Sequence, residues 1–355
     1  MGNESFYYNG GVLSDVDIQR EMKSGNIFIA PFIQAQLQPS GYNLTPTKFF
    51  YSTKKKQFLP IIKNEEETYV MIDRNDTVLV RTRESIAIAP TLTGAFYSKV
   101  KVVSEGFGHV STTLDPNWEG QLLISLNNPT NRRLKFSIEK EVYGKKICNS
   151  FVTLEFMYLN HAAIYPSDNP PGRLDILDNT LKRNVSIFKQ KGIADLENII
   201  FQLHEQETKT IEYFILQQLN EEEEKEWEQI SIIRDEQTYN SRKNEFIRAK
   251  KEKYLRAIQK KFALNAERSM NIVNEYIGKK QKYFSYRKRF WIFLTRNVSW
   301  FVNILICIIF AGILLWVDFR DQEMKSTFTV TSTIILYLVI PFVIRPIENC
   351  LRGKR

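Results

Sequence analysis

Leu114-Asp-Pro-Asn-Trp-Glu-Gly-Gln-Leu-Leu-Ile-Ser-Leu-Asn-Asn128 carries the reading that decides the fold of the N-terminal half of this 355-residue chain. Leu122 to Leu126 is a short apolar segment that predicts a strand, and Leu134 to Ile138 and Val152 to Phe156 repeat the pattern. Residues 1–177 hold 10 of the 12 prolines and 11 of the 15 glycines, which punctuate a compact, mainly β domain. Ahead of the strands, Ser14 is a candidate N-cap for a helix through Val16, Ile18 and Met22, stopped by Gly25.

Downstream the composition changes. No proline occurs between Pro171 and Pro341, and residues 178–289 are mostly helix formers. Ile193, Leu196, Ile200 and Leu203, then Tyr254, Ile258 and Phe262, keep helical apolar spacing. Heptads are not sustained, so a folded-back helical bundle or stalk is expected over 178–290, with Thr238-Tyr-Asn-Ser241 a candidate bend. The Glu221–Glu224 run and the lysines at 250, 251, 253, 260 and 261 either pair across such a bundle or form solvated faces. His204 stands alone, with no ligand constellation around it.

The last segment, 291–355, reads as a transmembrane hairpin. Residues 297–317 and 326–344 carry no charge, and each is long enough for a helix to cross about 30 Å of hydrocarbon. The net charge of +9 is concentrated here: residues 1–177 carry 19 basic and 18 acidic groups, 178–277 carry 17 and 18, and 278–355 carry 13 and 4. Basic flanks at 278–297 and 345–355 predict cytoplasmic termini and an outside loop at 318–325, a multi-pass protein of the cell inner membrane. The distribution argues for anionic lipid over a DNA-binding face. Asn303, Thr329, Thr331, Ser332 and Thr333 are polar within the spans, suited to helix packing or to lining a pore. Cys148, Cys307 and Cys350 show no pairing or metal-ligand spacing, and neither metal nor cofactor is expected.

Several segments resemble the dCTP deaminase/dUTPase superfamily, in order and at matching separations. They are Gly11-Val-Leu-Ser-Asp-Val-Asp-Ile18, Gly25-Asn-Ile-Phe-Ile-Ala-Pro31, Leu37-Gln-Pro-Ser-Gly-Tyr-Asn-Leu44, Val80-Arg-Thr-Arg-Glu-Ser-Ile86 and Leu114–Gln121 with Asn127 and Asn128. The resemblance covers about residues 11–157 and implies a β-clip barrel, usually trimeric with nucleotide pockets between subunits. It also exposes departures. Where the family places an Arg-Ser-Ser-x-x-Arg segment for phosphates, this chain has Lys99-Val-Lys-Val-Val-Ser104. Lys99 and Lys101 can meet phosphate only as point charges. Counting from Gly120, the family's catalytic glutamate falls on Ser125, which cannot shuttle the protons of deamination. The dUTPase phosphate arm is missing as well. The residues implied for nucleotide binding are Lys99, Lys101, Ser104, His109, Asp115, Trp118, Gln121 and Ser125, although Trp118 suits barrel packing equally and His109 a structural role.

The whole therefore reads as a catalytically dead, deaminase-like β domain, a helical stalk and a transmembrane hairpin. The architecture is similar to nucleotide-controlled antiphage membrane effectors, the membrane component of Hailong-type systems being the nearest kind. That likeness implies a nucleotide or short oligodeoxynucleotide ligand, a partner nucleotidyltransferase, and a homo-oligomer: three or four subunits supply the six or eight helices a pore needs. Two alternatives stand beside it, a membrane-tethered dCTP deaminase or dUTPase that depletes nucleotides, and a ligand-free oligomeric scaffold.

Overall fold

The computed structural model describes residues 11–108, 111–164, 173–176, 191–208, 211–296 and 309. Residues 1–279 make one compact unit and 280–355 a second. Apart from Ile309, the uncharged stretches at 297–317 and 326–344, with Asn303, Thr329, Thr331, Ser332 and Thr333, lie outside the described residues, as does His109. Among the described residues no helix is long and apolar enough to cross a membrane.

Among the described residues, fifteen strands follow in chain order: β1 (Gly11–Val12), β2 (Ile27–Ala30), β3 (Leu37–Gln38), β4 (Gly41–Leu44), β5 (Pro46–Ser52), β6 (Gln57–Phe58), β7 (Ile61–Lys63) and β8 (Glu67–Ile72). The series continues with β9 (Asp76–Ile88), β10 (Leu92–Ser98), β11 (Thr113–Leu114), β12 (Glu119–Asn128), β13 (Leu134–Val142), β14 (Lys145–Cys148) and β15 (Val152–Tyr158). They form three antiparallel-paired sheets, in the orders β11-β10-β15-β4-β3, β12-β9-β5-β6 and β14-β13-β8-β7, with β1 joining β15 and β2 joining β9. One apolar cluster fills the space between them, drawing Tyr42, Leu44, Val80, Ile86, Phe96, Ile124, Phe136 and Phe156 from all three sheets.

The first helix, α1 (Asp15–Ser24), forms as its local chemistry dictates. The Ser14 hydroxyl accepts from the Asp17 amide while the Asp17 carboxylate accepts from the Ser14 amide, a complete capping box. Gly25 ends the helix in the left-handed region at φ 79°. A five-residue helix, α2 (Val100–Ser104), links β10 to β11.

Among the described residues four longer helices follow: α3 (Lys191–Thr208), α4 (Ile211–Leu216), α5 (Glu221–Ser231) and α6 (Glu236–Arg296). The expected bend at 238–241 is helical instead. Asp235 accepts from the Thr238 amide at 2.8 Å and so starts α6. The chain turns just before it, at Ile232–Asp235, where α5 has ended. The acidic run and the lysines do pair: Glu223 binds Lys253 at 2.9 Å and Lys250 at 3.3 Å, tying α5 to α6.

As far as Lys279 these helices lie on the β domain rather than standing off it as a separate stalk. Val273, Tyr276 and Ile277 of α6 and Leu203 of α3 bury against Phe49, Tyr51 and Phe58. Ile258 of α6, with Ile211 and Ile215 of α4, buries against Phe28 and Ala87. At about 2 kcal/mol per buried side chain, the four apolar anchors of α6 contribute on the order of 8 kcal/mol before chain entropy is charged against them.

Candidate functional site

The site is the outer face of β9 and β12. Along β9, Val78, Val80, Ile86 and Ile88 feed the core, while Leu79 and Ala87 meet the helices on the other side. From Ile258 to Ile277 α6 advances about 28 Å, and from Ala87 to Leu79 β9 covers about 26 Å. With Ile258 beside Ala87 and Val273 in the cluster of Leu79, the helix tracks the strand end to end.

Midway along, the ladder breaks. Gln121 pairs with Ser85 but Leu123 pairs with Arg81, so β9 bulges at Thr82, Arg83 and Glu84. Side chains replace the lost backbone partners. The Thr82 hydroxyl accepts from the Leu122 amide at 2.9 Å, and Glu84 accepts from the Thr45 amide at 2.9 Å and its hydroxyl at 2.6 Å. Burial pushes the Glu84 carboxyl up to about 7 against the pull of those Thr45 bonds.

Beside the bulge, Arg81 is fully buried and donates Nε to Oε1 of Gln121 at 2.6 Å. Ser269 of α6 reaches the same oxygen at 3.3 Å, and the Gln121 amide nitrogen donates to the Arg83 carbonyl at 3.3 Å. At the start of β12, Glu119 accepts from the Ile211 amide of α4 at 3.1 Å. Burial raises this carboxyl to about 7, opposed by Lys251 of α6, whose own affinity for its proton burial lowers.

The residues singled out from sequence divide into three groups. Lys99, Lys101 and Ser104 sit on or beside α2. Lys99 Nζ donates to the Ser150 hydroxyl at 2.8 Å, and burial, helped by Lys101, lowers its proton affinity. Ser104 donates back to the Lys101 carbonyl at 2.8 Å, as a helix terminus. Trp118 packs into the core, its indole N–H on the Gly120 carbonyl at 3.3 Å. The Asp115 carbonyl accepts from the Trp118 amide in the turn before β12.

Gln121 and Ser125 share the outer face of β12. Ser125 is half-buried and stands directly opposite Leu79, two residues past Leu123. Leu79 and Leu123 both pack into the cluster under α3 and α6, so the Ser125 face is the covered face. The α2 segment approaches the other edge of β12, where Gly108 and Asn127 exchange backbone bonds at 2.9 and 2.7 Å. Sequence reasoning passed over Arg81, Glu84 and Ser269. The signal for the first two was the polar stretch Arg81-Thr-Arg-Glu-Ser85, with three charged residues, set between the apolar runs Val78–Val80 and Ile86–Ile88.

Residues 12–148 match the family model described as dCTP deaminase-like. The dCTP deaminase of Pyrococcus abyssi is 30% identical over 159 residues, which span 45% of this chain and 88% of that protein. That of Thermococcus gammatolerans is 28% identical over 155 residues, 44% of this chain and 87% of the relative. Among solved structures, the 2′-deoxycytidine 5′-triphosphate deaminase from Agrobacterium tumefaciens aligns over 42% of this chain and 49% of its own, with 13% identity and a TM-score of 0.30.

Proposed function

Because this chain belongs, through its N-terminal β domain, to the dCTP deaminase-like family, we propose that the domain binds a nucleotide or short oligodeoxynucleotide without converting it. The bound state then governs a C-terminal membrane hairpin. The observation that carries the first half is Ser125. Deamination needs a proton shuttle on β12, and this position offers a hydroxyl between two leucines that pack beneath helices. Lys99 and Lys101 supply positive charge for phosphate, with Asp115 as a polar group for the rest of the ligand; Gln121, fully buried with both ends of its amide engaged, holds the site's frame instead.

The second half rests on α6. The helix that covers the β9–β12 face continues unbroken to Arg296, immediately before the uncharged stretch at 297–317. A ligand that favours one seating of α6 over another has differential affinity for two states, which is what coupling requires. Assembled as a trimer or tetramer in the cell inner membrane, the hairpins would form the permeability path of an antiphage effector. A partner nucleotidyltransferase would supply the signal.

The competing reading, a tethered dCTP deaminase or dUTPase, has Glu119 in its favour, a carboxyl raised to about 7 at the start of β12. Its engagement with the Ile211 amide and Lys251 gives it a structural use. The two readings separate on one assay. The purified full chain should bind deoxynucleotide in calorimetry yet release no ammonia from dCTP and no pyrophosphate from dUTP. Turnover that disappears in Asp115→Asn would establish the enzyme instead.

A further inference from the structure

We propose that Arg83 and Lys99, converging on the Cys148–Ser150 segment, form an anion subsite that takes a phosphate group of the ligand. This rests on the nucleotide-binding reading above and extends it to a residue outside the α2 segment. Arg83 lies in the β9 bulge and reaches toward β14, donating Nη1 to the Cys148 sulfur at 3.1 Å. Its Nε is buried with no hydrogen-bond partner among the described residues. Lys99 comes from the start of α2 and donates to Ser150 at 2.8 Å. Cys148 and Ser150 are two residues apart, within about 7 Å along the backbone, so two cations from distant parts of the chain meet on one short segment.

Their partners do not match their charge. A thiol and a hydroxyl are weak, neutral acceptors, whereas half-buried guanidinium and ammonium groups such as these gain more from an anion. A buried N–H left without an acceptor costs free energy and calls for an occupant. Two carboxylates are near. Glu84 spends both oxygens on Thr45, and Glu139 lies 3.8 Å from the Cys148 sulfur. Against these stand Arg83, Lys99 and Lys101, a net positive site.

The test is calorimetry on the full-length protein in detergent with three probes: inorganic triphosphate, dCTP and a three-residue oligodeoxyadenylate. Inorganic triphosphate alone binding would point to a free-anion site; dCTP or the oligomer binding more tightly would assign the phosphate to a nucleotide. Arg83→Gln should weaken every probe that binds by ten- to a hundredfold, and Arg83→Lys by less. In a Cys307→Ser/Cys350→Ser background, a bound probe should also slow alkylation of Cys148, a measurement that leaves Arg83 intact. Arg83→Gln that melts and binds like wild type overturns the subsite while leaving nucleotide binding standing, as does binding that leaves Cys148 alkylation unchanged. Wild-type protein that binds none of the three probes sinks both.

Discussion

The Ser269 hydroxyl of α6 donates to the side-chain carbonyl of Gln121 on β12, the same oxygen that holds the buried Arg81. A polar contact in the middle of an apolar seam fixes register, since sliding α6 would leave a hydroxyl and an amide unpaired in a dry interface. Gln121 therefore joins the sheet face, the bulge and the covering helix into one unit.

Ser125→Glu tests whether the face can be made catalytic. The introduced carboxylate would lie between Leu79 and Leu123 under α3 and α6, where burying a charge costs several kcal/mol. The variant should unfold at lower denaturant than wild type and still release no ammonia from dCTP. A stable Ser125→Glu protein with deaminase activity would show that the pocket is open and only its base was lost.

Gly25 is where α1 ends and α6 begins to press. A Cβ there would stand 2.5 Å from the Leu255 methyl in a backbone at φ 79°. Gly25→Ala should cost about 1–2 kcal/mol of conformational strain, plus the displacement of a flexible side chain. Leu255→Ala in the same chain should recover the contact part and leave the strain. Strict additivity in a double-mutant cycle by urea unfolding would mean the two residues do not touch.

Glu119 gives the stability a pH dependence of definite sign. Its carboxyl titrates near 7 folded and about 4.5 unfolded, because burial outweighs the help of Lys251 and the Ile211 amide, and Glu212 adds repulsion. Between those values the folded state holds the proton and the unfolded state releases it, so stability falls as pH rises from about 4.5 to 7 and levels off above. Glu84 pulls in the same direction. Glu119→Gln, whose amide oxygen can still accept from Ile211, should flatten melting temperature against pH across this window without abolishing the slope. A variant with the wild-type profile would assign the whole effect to Glu84.

The hairpin topology is testable from outside the cell. With the native cysteines removed, Ser326→Cys should react with an impermeant maleimide on intact cells. Labelling only after permeabilisation would place the 318–325 loop inside and remove the basis for cytoplasmic termini.

Local chemistry was legible in the sequence, and long-range covering was not. Ser14 and Gly25 announce α1 because capping is decided within four residues, and Leu122–Leu126 announces β12 because a short apolar run is a local signal. The polar run Thr238–Ser241 misled for a related reason: it reads as a bend, but with Asp235 as cap it is the first turn of a helix. That α6 would lie along β9 could not be read, since its seam is distributed over Ile258, Ser269, Val273 and Ile277 and matches residues far earlier in the chain, 148 positions earlier for Ser269 and Gln121. Arg81 on an alternating strand reads as solvent-facing until a helix is laid over it. The identity of Ser125 was visible in the counting; that it lies on a covered face was not.

The 61-residue span of α6 gives any signal it carries a step size. Side chains seated three and four residues apart cannot be re-seated by an arbitrary amount; the next position that restores knobs to their hollows lies one turn away, about 5.4 Å along the axis. Movement of this helix would thus be discrete, with a seated and a shifted state and little between. A graded concentration of ligand would be read out as a changing fraction of molecules that have switched, each one fully.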